Sequence, residues 1–485
     1  MKKNIQLIFF LLFLWSSGWS QKYFIEFKDK DLFDVNICQK QLSEKSISRR
    51  ANQNILLAQT DMPVKKAYLD SLQSLGIQVK YVSKWLNGVL IELTNVGLIN
   101  TLKAKSYVSN LHNLENNTYG GTLKIVNTDF GANLSNANFF NVELFHNQGV
   151  FGDKKLLAVF DGGFLGVNTS TPFKDLSIAD AYSFKYNSKD VYEDFTHGTN
   201  VLSIVSANEP GKYVGFAPKA SVALYVTEDE STEKVYEEYY WLFAAERADS
   251  LGVDVINSSL GYYDFVQPSQ NHVFSELDGN TSVISKAANL ASEKGILVVS
   301  SAGNSNLSSF WPYINFPSDA PLVLTVGAIE ENGQVSDFSS RGPINNTYFK
   351  PELVAPGRNV SVLNQLGNKI ISSGTSFSAP MISGLALLFW CKNPNLTAQE
   401  VKKTLIDNST NALNPTNELG YGYPSIKKML GIENSLQEKK IIFVEYLDIL
   451  GRYIGNNPIR TGVYLRKVWY QDYTFIIEKT FIESW

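Results

Sequence analysis

Cysteine is nearly absent from this chain. Two residues, Cys38 and Cys391, among 485 exclude a disulfide-stapled scaffold. Cys391 closes an apolar run and reads as a buried, inert thiol behaving as a small hydrophobe. Histidine is almost as scarce: only His112, His146, His197 and His272 occur, and no His/Cys cluster has zinc-ligand spacing. There is no basic excess, since 43 Lys+Arg against 47 Asp+Glu leave a formal net charge of −4. A nucleic-acid partner is therefore not expected. No loop carries the spaced Asp/Asn pattern of an EF-hand. Beyond the N-terminus, no stretch stays apolar for the ~20 residues a membrane span needs.

What remains is an ordinary globular composition, 44% hydrophobic, in a chain long enough for two or three domains. The N-terminus reads as a secretory signal. Lys2 and Lys3 precede the apolar residues 5–15, and Gly18 and Ser20 suit a cut before Gln21. No cysteine follows the apolar run, which argues against a lipoprotein anchor. The mature protein is expected to be soluble or surface-attached.

The organising stretch is Gly374-Thr375-Ser376-Phe377-Ser378-Ala379-Pro380, running into residues 381–390, apolar on nearly every side. That is a buried helix with a hydroxyl at its N-terminus, where free N–H groups and the helix dipole favour an oxyanion. A lone serine there would be an ordinary N-cap. Here Asp161 stands upstream in Leu157-Ala158-Val159-Phe160-Asp161-Gly162-Gly163, and His197 in Thr196-His197-Gly198-Thr199. Ser301-Ala302-Gly303-Asn304 falls between His and Ser. A serine hydroxyl needs a base within reach, and that base needs a partner fixing its tautomer. Asp, His and Ser in this order supply all three parts.

These four strings, in this order, resemble the subtilases, the subtilisin-like serine peptidases, over roughly residues 117–430. The resemblance implies Ser376 as nucleophile, His197 as general base, Asp161 as its orienting partner and Asn304 as an oxyanion donor. The string Ile256-Asn257-Ser258-Ser259-Leu260-Gly261 resembles the strand that pairs with substrate backbone. Ser258, Leu260 and Gly261 are therefore substrate-binding candidates, and Ser301, Ala302 and Gly303 are candidates for a pocket wall. Three positions depart from the family pattern: Gly162 where Ser or Thr is usual, Asn200 where His or Arg is frequent, and Phe377 where Met is common. None removes a catalytic atom. The chemistry requires no cofactor; structural calcium is frequent in the family, and no ligand is assigned here. An ordinary histidine base implies activity rising through roughly pH 6–7.5.

Around these motifs the chain alternates short apolar runs, at 155–160, 221–226, 253–257, 296–300 and 322–326, with helical patterns at 233–251 and 281–294. This predicts an α/β fold, a parallel sheet with helices on both faces. Before it, residues 22–27, 77–81 and 88–93 read as strands and 65–75 and 98–104 as helices, a small α+β unit. Residues 43–57 read only as polar and basic. Ser74-Leu75-Gly76-Ile77-Gln78-Val79 with Ser83-Lys84-Trp85-Leu86-Asn87 resembles the pro-region of Bacteroidetes subtilases, which implies an inhibitory, folding-assisting pro-domain cut between His112 and Thr122. An independent binding domain is the alternative. After a polar linker, the strand-like runs 441–445, 462–468 and 474–482 resemble a type IX secretion sorting domain, implying a small β-sandwich. A small carbohydrate- or cell-wall-binding β-module, or extra strands on the catalytic domain, are the alternatives there.

The expected organisation is thus a signal at 1–20, a pro-domain at 21–116, a peptidase domain at 117–432 and a sorting-type β domain at 437–485. The function expected is a secreted serine endopeptidase made as a preproenzyme and acting on proteins or peptides. Its own pro-domain in cis and the type IX secretion machinery are the expected partners, and a monomer the expected state. The rivals are a catalytically inactive subtilase fold acting as a scaffold and an esterase. The missing G-x-S-x-G elbow and the Asp-His-Ser order speak against the esterase.

Overall fold

The computed structural model describes residues 21–93, 98–114, 130–193, 195–342, 348–432, 441–447, 453–455, 462–470 and 475–482. The expected signal and the expected cut region from residue 115 onward lie outside them. The chain divides into two units, residues 1–424 and 425–485.

The first unit begins with an antiparallel sheet in the order Gln78–Ser83, Gly88–Leu93, Gln21–Phe27, Val108–Asn113. Strand alternation decides what each face meets. Tyr23, Ile25, Phe27, Val89, Ile91 and Leu93 bury against Leu72 of the helix Lys66–Ser74 and Leu102 of the helix Leu98–Lys103. Phe24 and Leu90 point the other way, with Trp85, into the core around the helix Tyr236–Leu251. The Phe24 ring lies 4.6 Å from that of Tyr239.

The polar, basic stretch after residue 43 forms a helix, Glu44–Asn52, capped by Ser43, whose hydroxyl accepts the Ser46 N–H. Its Arg49 and Arg50 are buried. Arg49 pairs with Asp249 and donates to the Val253 carbonyl at 2.8 Å. Arg50 pairs with Asp61 at 3.0 Å and Asp249 at 2.6 Å. Charged residues that look like a solvated face in sequence are here the contact itself.

The large sheet has seven parallel strands in the order Leu353–Pro356, Leu324–Ile329, Leu297–Ser301, Val255–Ser258, Leu156–Asp161, Ser221–Val226, Ile178–Ser183. All five of the predicted strands are present, and five of the seven are buried at every position. From Leu156–Asp161 the chain first builds toward one edge and then, at Val255–Ser258, turns to the other. The carboxyl ends of these two adjacent strands thus form a topological switch point, where α/β sheets bind their ligands.

The helix Thr375–Lys392 is buried from Thr375 through Trp390, as its all-round apolar sequence requires. Cys391 corrects the sequence reading: it is only half-buried, and its thiol donates to the Asp153 carbonyl at 3.2 Å. Cys38 is buried, and both thiols are free. His272, which reads as part of a polar loop, sits between Glu238 and Glu276, each at 2.8 Å, with its ring 4.2 Å from Phe316.

In the second unit the strands Tyr453–Gly455, Ile441–Leu447, Gly462–Tyr470 and Phe475–Ile482 form one antiparallel sheet in that order. Among the described residues this is a single sheet, where the sequence reading expected a sandwich. Among the described residues, no helix is long and apolar enough to cross a membrane.

Candidate active site

Asp161 is the last residue of the strand Leu156–Asp161 and is completely buried. His197 opens the helix His197–Ser206. That helix can start so close only because residue 198 is glycine: a Cβ there would lie 2.5 Å from the Gly163 carbonyl and 2.9 Å from Asp161 Cβ. The result is a contact of 2.8 Å between His197 Nδ1 and Asp161 Oδ1. The same oxygen accepts the Gly162 N–H at 2.9 Å. This leaves Nε2 as the imidazole nitrogen on the side away from Asp161. Asp161 Oδ2 is buried with no hydrogen-bond partner.

Ser376 lies in the first turn of the helix Thr375–Lys392. The ring of the next residue, Phe377, is 5.7 Å from the His197 ring. The Ser376 hydroxyl donates to the Ser259 carbonyl at 3.1 Å, and the Ser259 hydroxyl donates back to the Ser376 carbonyl at 2.8 Å. The structure therefore joins Asp161 to His197 directly and holds the serine oxygen by a different acceptor.

Asn304 follows the strand Leu297–Ser301 and is exposed. Its Oδ1 accepts the Thr375 N–H at 2.9 Å and the Thr375 hydroxyl at 3.0 Å. The Thr375 hydroxyl in turn accepts the Gly303 N–H at 3.2 Å. With the amide oxygen so committed, the NH₂ group is the part of Asn304 left to donate. Thr375, which the sequence reading passed over, is the residue that turns it; only its place beside Ser376 pointed to it.

The substrate-binding candidates divide. Ser258, Ser301 and Ala302 are buried, and the Ser258 hydroxyl accepts the Trp241 indole N–H at 2.9 Å. Leu260 is at the edge of burial and Gly261 is part-exposed. Gly261 and Gly303 meet on Asn315: a Cβ on either would lie 2.8 Å from it, and Gly303 has φ +104°. Segments 260–261 and 302–303 are thus drawn together, and close backbone approach requires both glycines. Asn200 is structural, donating to the Leu363 carbonyl at 2.6 Å.

Gly162 has a consequence the sequence did not show. A Cβ there would lie 2.5 Å from Glu230 Oε1 and 2.7 Å from Glu230 Cγ. The missing side chain makes room for Glu230, whose carboxylate comes within 4.8 Å of Asp161 and His197. Burial pulls the His197 pKa down. The Asp161 charge and hydrogen bond, helped by Glu230 and Glu228, outweigh it and carry the imidazole up to about 9. The sequence expectation of an ordinary histidine therefore moves upward.

The pro-region docks on the helix Tyr236–Leu251. Glu246, on the helix Tyr236–Leu251, accepts the Lys84 N–H at 2.9 Å, the Trp85 N–H at 3.2 Å and the Ser83 hydroxyl.

A parallel α/β sheet with a carboxylate–imidazole pair and a helix-terminal serine at its switch point defines a serine hydrolase class. The comparisons identify which one. The subtilase family matches residues 106–423, and the Bacteroidota peptidase S8 propeptide domain matches residues 22–125. The chain belongs to the subtilase family, the S8 serine peptidases, and carries a propeptide. A thermostable alkaline protease of Halalkalibacterium halodurans is 29% identical over 277 residues, 56% of this chain and 66% of its own length. Subtilisin E of Bacillus subtilis is 29% identical over 268 residues, 55% of this chain and 63% of its own. The aligned stretch thus spans just under two thirds of either relative. Subtilisin DY of Bacillus licheniformis is 30% identical over 294 residues, covering 60% of this chain and 93% of its own. Among solved structures, the epidermin leader peptide processing serine protease of Staphylococcus aureus matches with a TM-score of 0.61. It is 18% identical and covers 86% of this chain and 99% of its own, a likeness of fold.

Proposed function

We propose that this chain is the precursor of a secreted serine endopeptidase that cleaves proteins or peptides through Asp161, His197 and Ser376. The observation that carries the reading is the 2.8 Å contact of His197 with the buried Asp161, beside the helix Thr375–Lys392, whose first turn carries Ser376. In the reaction, Ser376 Oγ forms a bond to the scissile carbonyl carbon while its proton passes to His197 Nε2. Asp161 holds the Nδ1 proton and stabilises the imidazolium. The tetrahedral oxyanion is met by the Ser376 N–H and the Asn304 NH₂ that Thr375 orients. Collapse breaks the C–N bond, the His197 proton leaves with the amine, and an acyl-enzyme remains. Water repeats the sequence and frees the serine. Before the first step Ser376 gives up its bond to Ser259, a single hydrogen bond whose net worth is about 1 kcal/mol. Catalytic hydrogen bonds commonly tighten only with substrate in place.

The remainder follows the same reading. Residues 1–20 direct export, the pro-domain occupies the enzyme in cis until it is cut, and the C-terminal unit is read by the type IX secretion machinery. The product is a monomer, released or held at the outer surface.

Intact mass of the secreted protein, with and without a fluorophosphonate probe and beside Ser376→Ala, tests this. One label per chain that vanishes in the variant is the expected result, and the unlabelled mass locates the processing cuts. A folded protein freed of its pro-region that takes no label would instead be a binding protein on a subtilase fold.

A further inference from the structure

Two segments lead from the neighbourhood of Ser376 to one side chain, Asn315. The first starts at Ser259, whose carbonyl accepts the Ser376 hydroxyl, and continues through Leu260 to Gly261. The second ends at Asn304, whose Oδ1 holds Thr375, and includes Gly303, whose N–H donates to the Thr375 hydroxyl. Asn315 therefore stands two residues along one segment and one residue beyond the other from groups that touch the serine turn.

The backbone fixes Asn315 to both segments. Its N–H donates to the Ala302 carbonyl at 3.0 Å, and its own carbonyl accepts the Ser318 N–H at 2.8 Å. The next residue, Phe316, exchanges two backbone hydrogen bonds with Tyr262, at 3.0 and 3.1 Å. The side chain then crosses the gap, with Nδ2 donating to the Gly261 carbonyl at 3.4 Å. A Cβ on Gly303 would lie 2.8 Å from both Cγ and Oδ1 of Asn315. The amide thus lies in the space that the two glycines leave.

Its hydrogen bonds do not close. Asn315 is 7% exposed, and its Oδ1 is buried without a donor. Exchanging the two ends of the amide does not help, because the Gly261 carbonyl can accept only from the NH₂ end. A buried acceptor left without a donor is unfavourable, and each one in a folded protein calls for a reason. The residues packed or bonded to Asn315 here, Gly261, Ala302, Gly303 and Ser318, are all uncharged.

We propose that Asn315 is a specificity-determining residue for the side chain that precedes the scissile bond, with Oδ1 accepting from a neutral amide or hydroxyl donor. The inference rests on the peptidase reading above. With the acyl carbon at Ser376 Oγ and its oxygen at Asn304, that side chain enters between segments 260–261 and 302–303. A lysine or arginine there would bury its charge among uncharged neighbours. A leucine or methionine would cover Oδ1 and leave it unpaired, and a site with such a group rejects the analogue that lacks the donor.

The test starts from mature enzyme that takes one fluorophosphonate label per chain. No label overturns the peptidase reading, and this inference with it, before any specificity is measured. kcat/KM is then compared on peptides built around a bond the enzyme cuts in denatured casein, differing only in the residue before that bond. The pairs are Asn with Leu, Gln with Met, and Thr with Val, each alike in shape. The donor member should be favoured by about tenfold or more. Asn315→Leu should bring the ratio to about one or below, and Asn315→Asp should turn the preference toward lysine and arginine. The ratio within a pair is the readout, because a residue that merely braced Gly261 would leave it unmoved. A labelled parent enzyme that cuts the apolar members as fast, or opens no bond after a donor side chain, overturns the proposal, and neither result needs a variant to fold. A ratio kept in Asn315→Leu while both rates fall also overturns it.

Discussion

If His197 is the base of the proposed triad, Glu230 should help Asp161 set the pH at which it acts. A general base must be neutral to accept the serine proton, and His197 is raised to about 9. On the proposed triad the histidine is then expected to be protonated at neutral pH, and activity should rise as pH climbs through about 9. The linked stability has the opposite sense. The Asp161–His197⁺ pair contributes fully below the unfolded histidine pKa, about 6.5, and its contribution is lost as pH passes through the folded value. Glu230 is raised to about 7, chiefly by burial of its carboxyl, with His197 opposing and Asp161 adding, so it is ionised where His197 titrates. Its carboxylate lies within 4.8 Å of the imidazole. At that distance a unit charge is worth about 0.9 kcal/mol in bulk water and about 1.7 kcal/mol at half that dielectric. The residue as a whole is exposed, so the screened range applies. Glu230→Gln should then lower the midpoint by roughly 0.6 to 1.3 pH units.

The assay is the second-order rate of fluorophosphonate inactivation of the mature enzyme from pH 6 to 11, which needs no knowledge of the preferred peptide. Gly162→Ser gives an independent route to the same result. Its Cβ would overlap Glu230 Oε1 at 2.5 Å, and the tip of an exposed, flexible side chain can yield. Both variants should move the midpoint down, and high salt should narrow the gap from the parent. A parent midpoint near 6.5 that neither variant shifts would refute the reasoning.

Two further outcomes are expected. Asn304→Ala should cost about 10²–10³ in kcat with KM little changed, since its NH₂ serves the oxyanion and not the ground state; an equal loss carried in KM would remove it from the oxyanion site. Arg49→Met should destabilise the Ser376→Ala precursor by about 3 kcal/mol or more, because it leaves part of the Asp249 charge unpaired in a buried contact. Denaturant melts of precursor and mature enzyme check this: Arg49 lies in the propeptide match, so the mature form made from the variant should melt unchanged.

The alternation of apolar runs with helical patterns was legible because each element's period depends on its own residues. The strands at 155–160, 221–226, 253–257, 296–300 and 322–326 appear within three residues of their read bounds. The edge strands Ile178–Ser183 and Leu353–Pro356 were missed, the first because only one of its residues is buried and it is mixed in polarity, the second because it is four residues long and ends in proline. Asp161, His197, Asn304 and Ser376 stood out as candidates because each carries a distinctive local string. Thr375 did not, because a threonine beside a serine carries no signal until Asn304 folds against it.

By itself, then, the sequence determined the elements, their order and the four motif residues, all properties of neighbours along the chain. Tertiary structure alone decided the rest. It buried Arg49 and Arg50 against Asp249, two hundred residues away. It committed Ser258 to Trp241 and set Glu230 into the space that Gly162 leaves. It gathered Glu228, Glu233 and Glu237 into one cluster. The physical reason is common to all four. Whether a charge or hydroxyl is solvated, paired or stranded depends on what packs against it, and period and motif do not encode that partner.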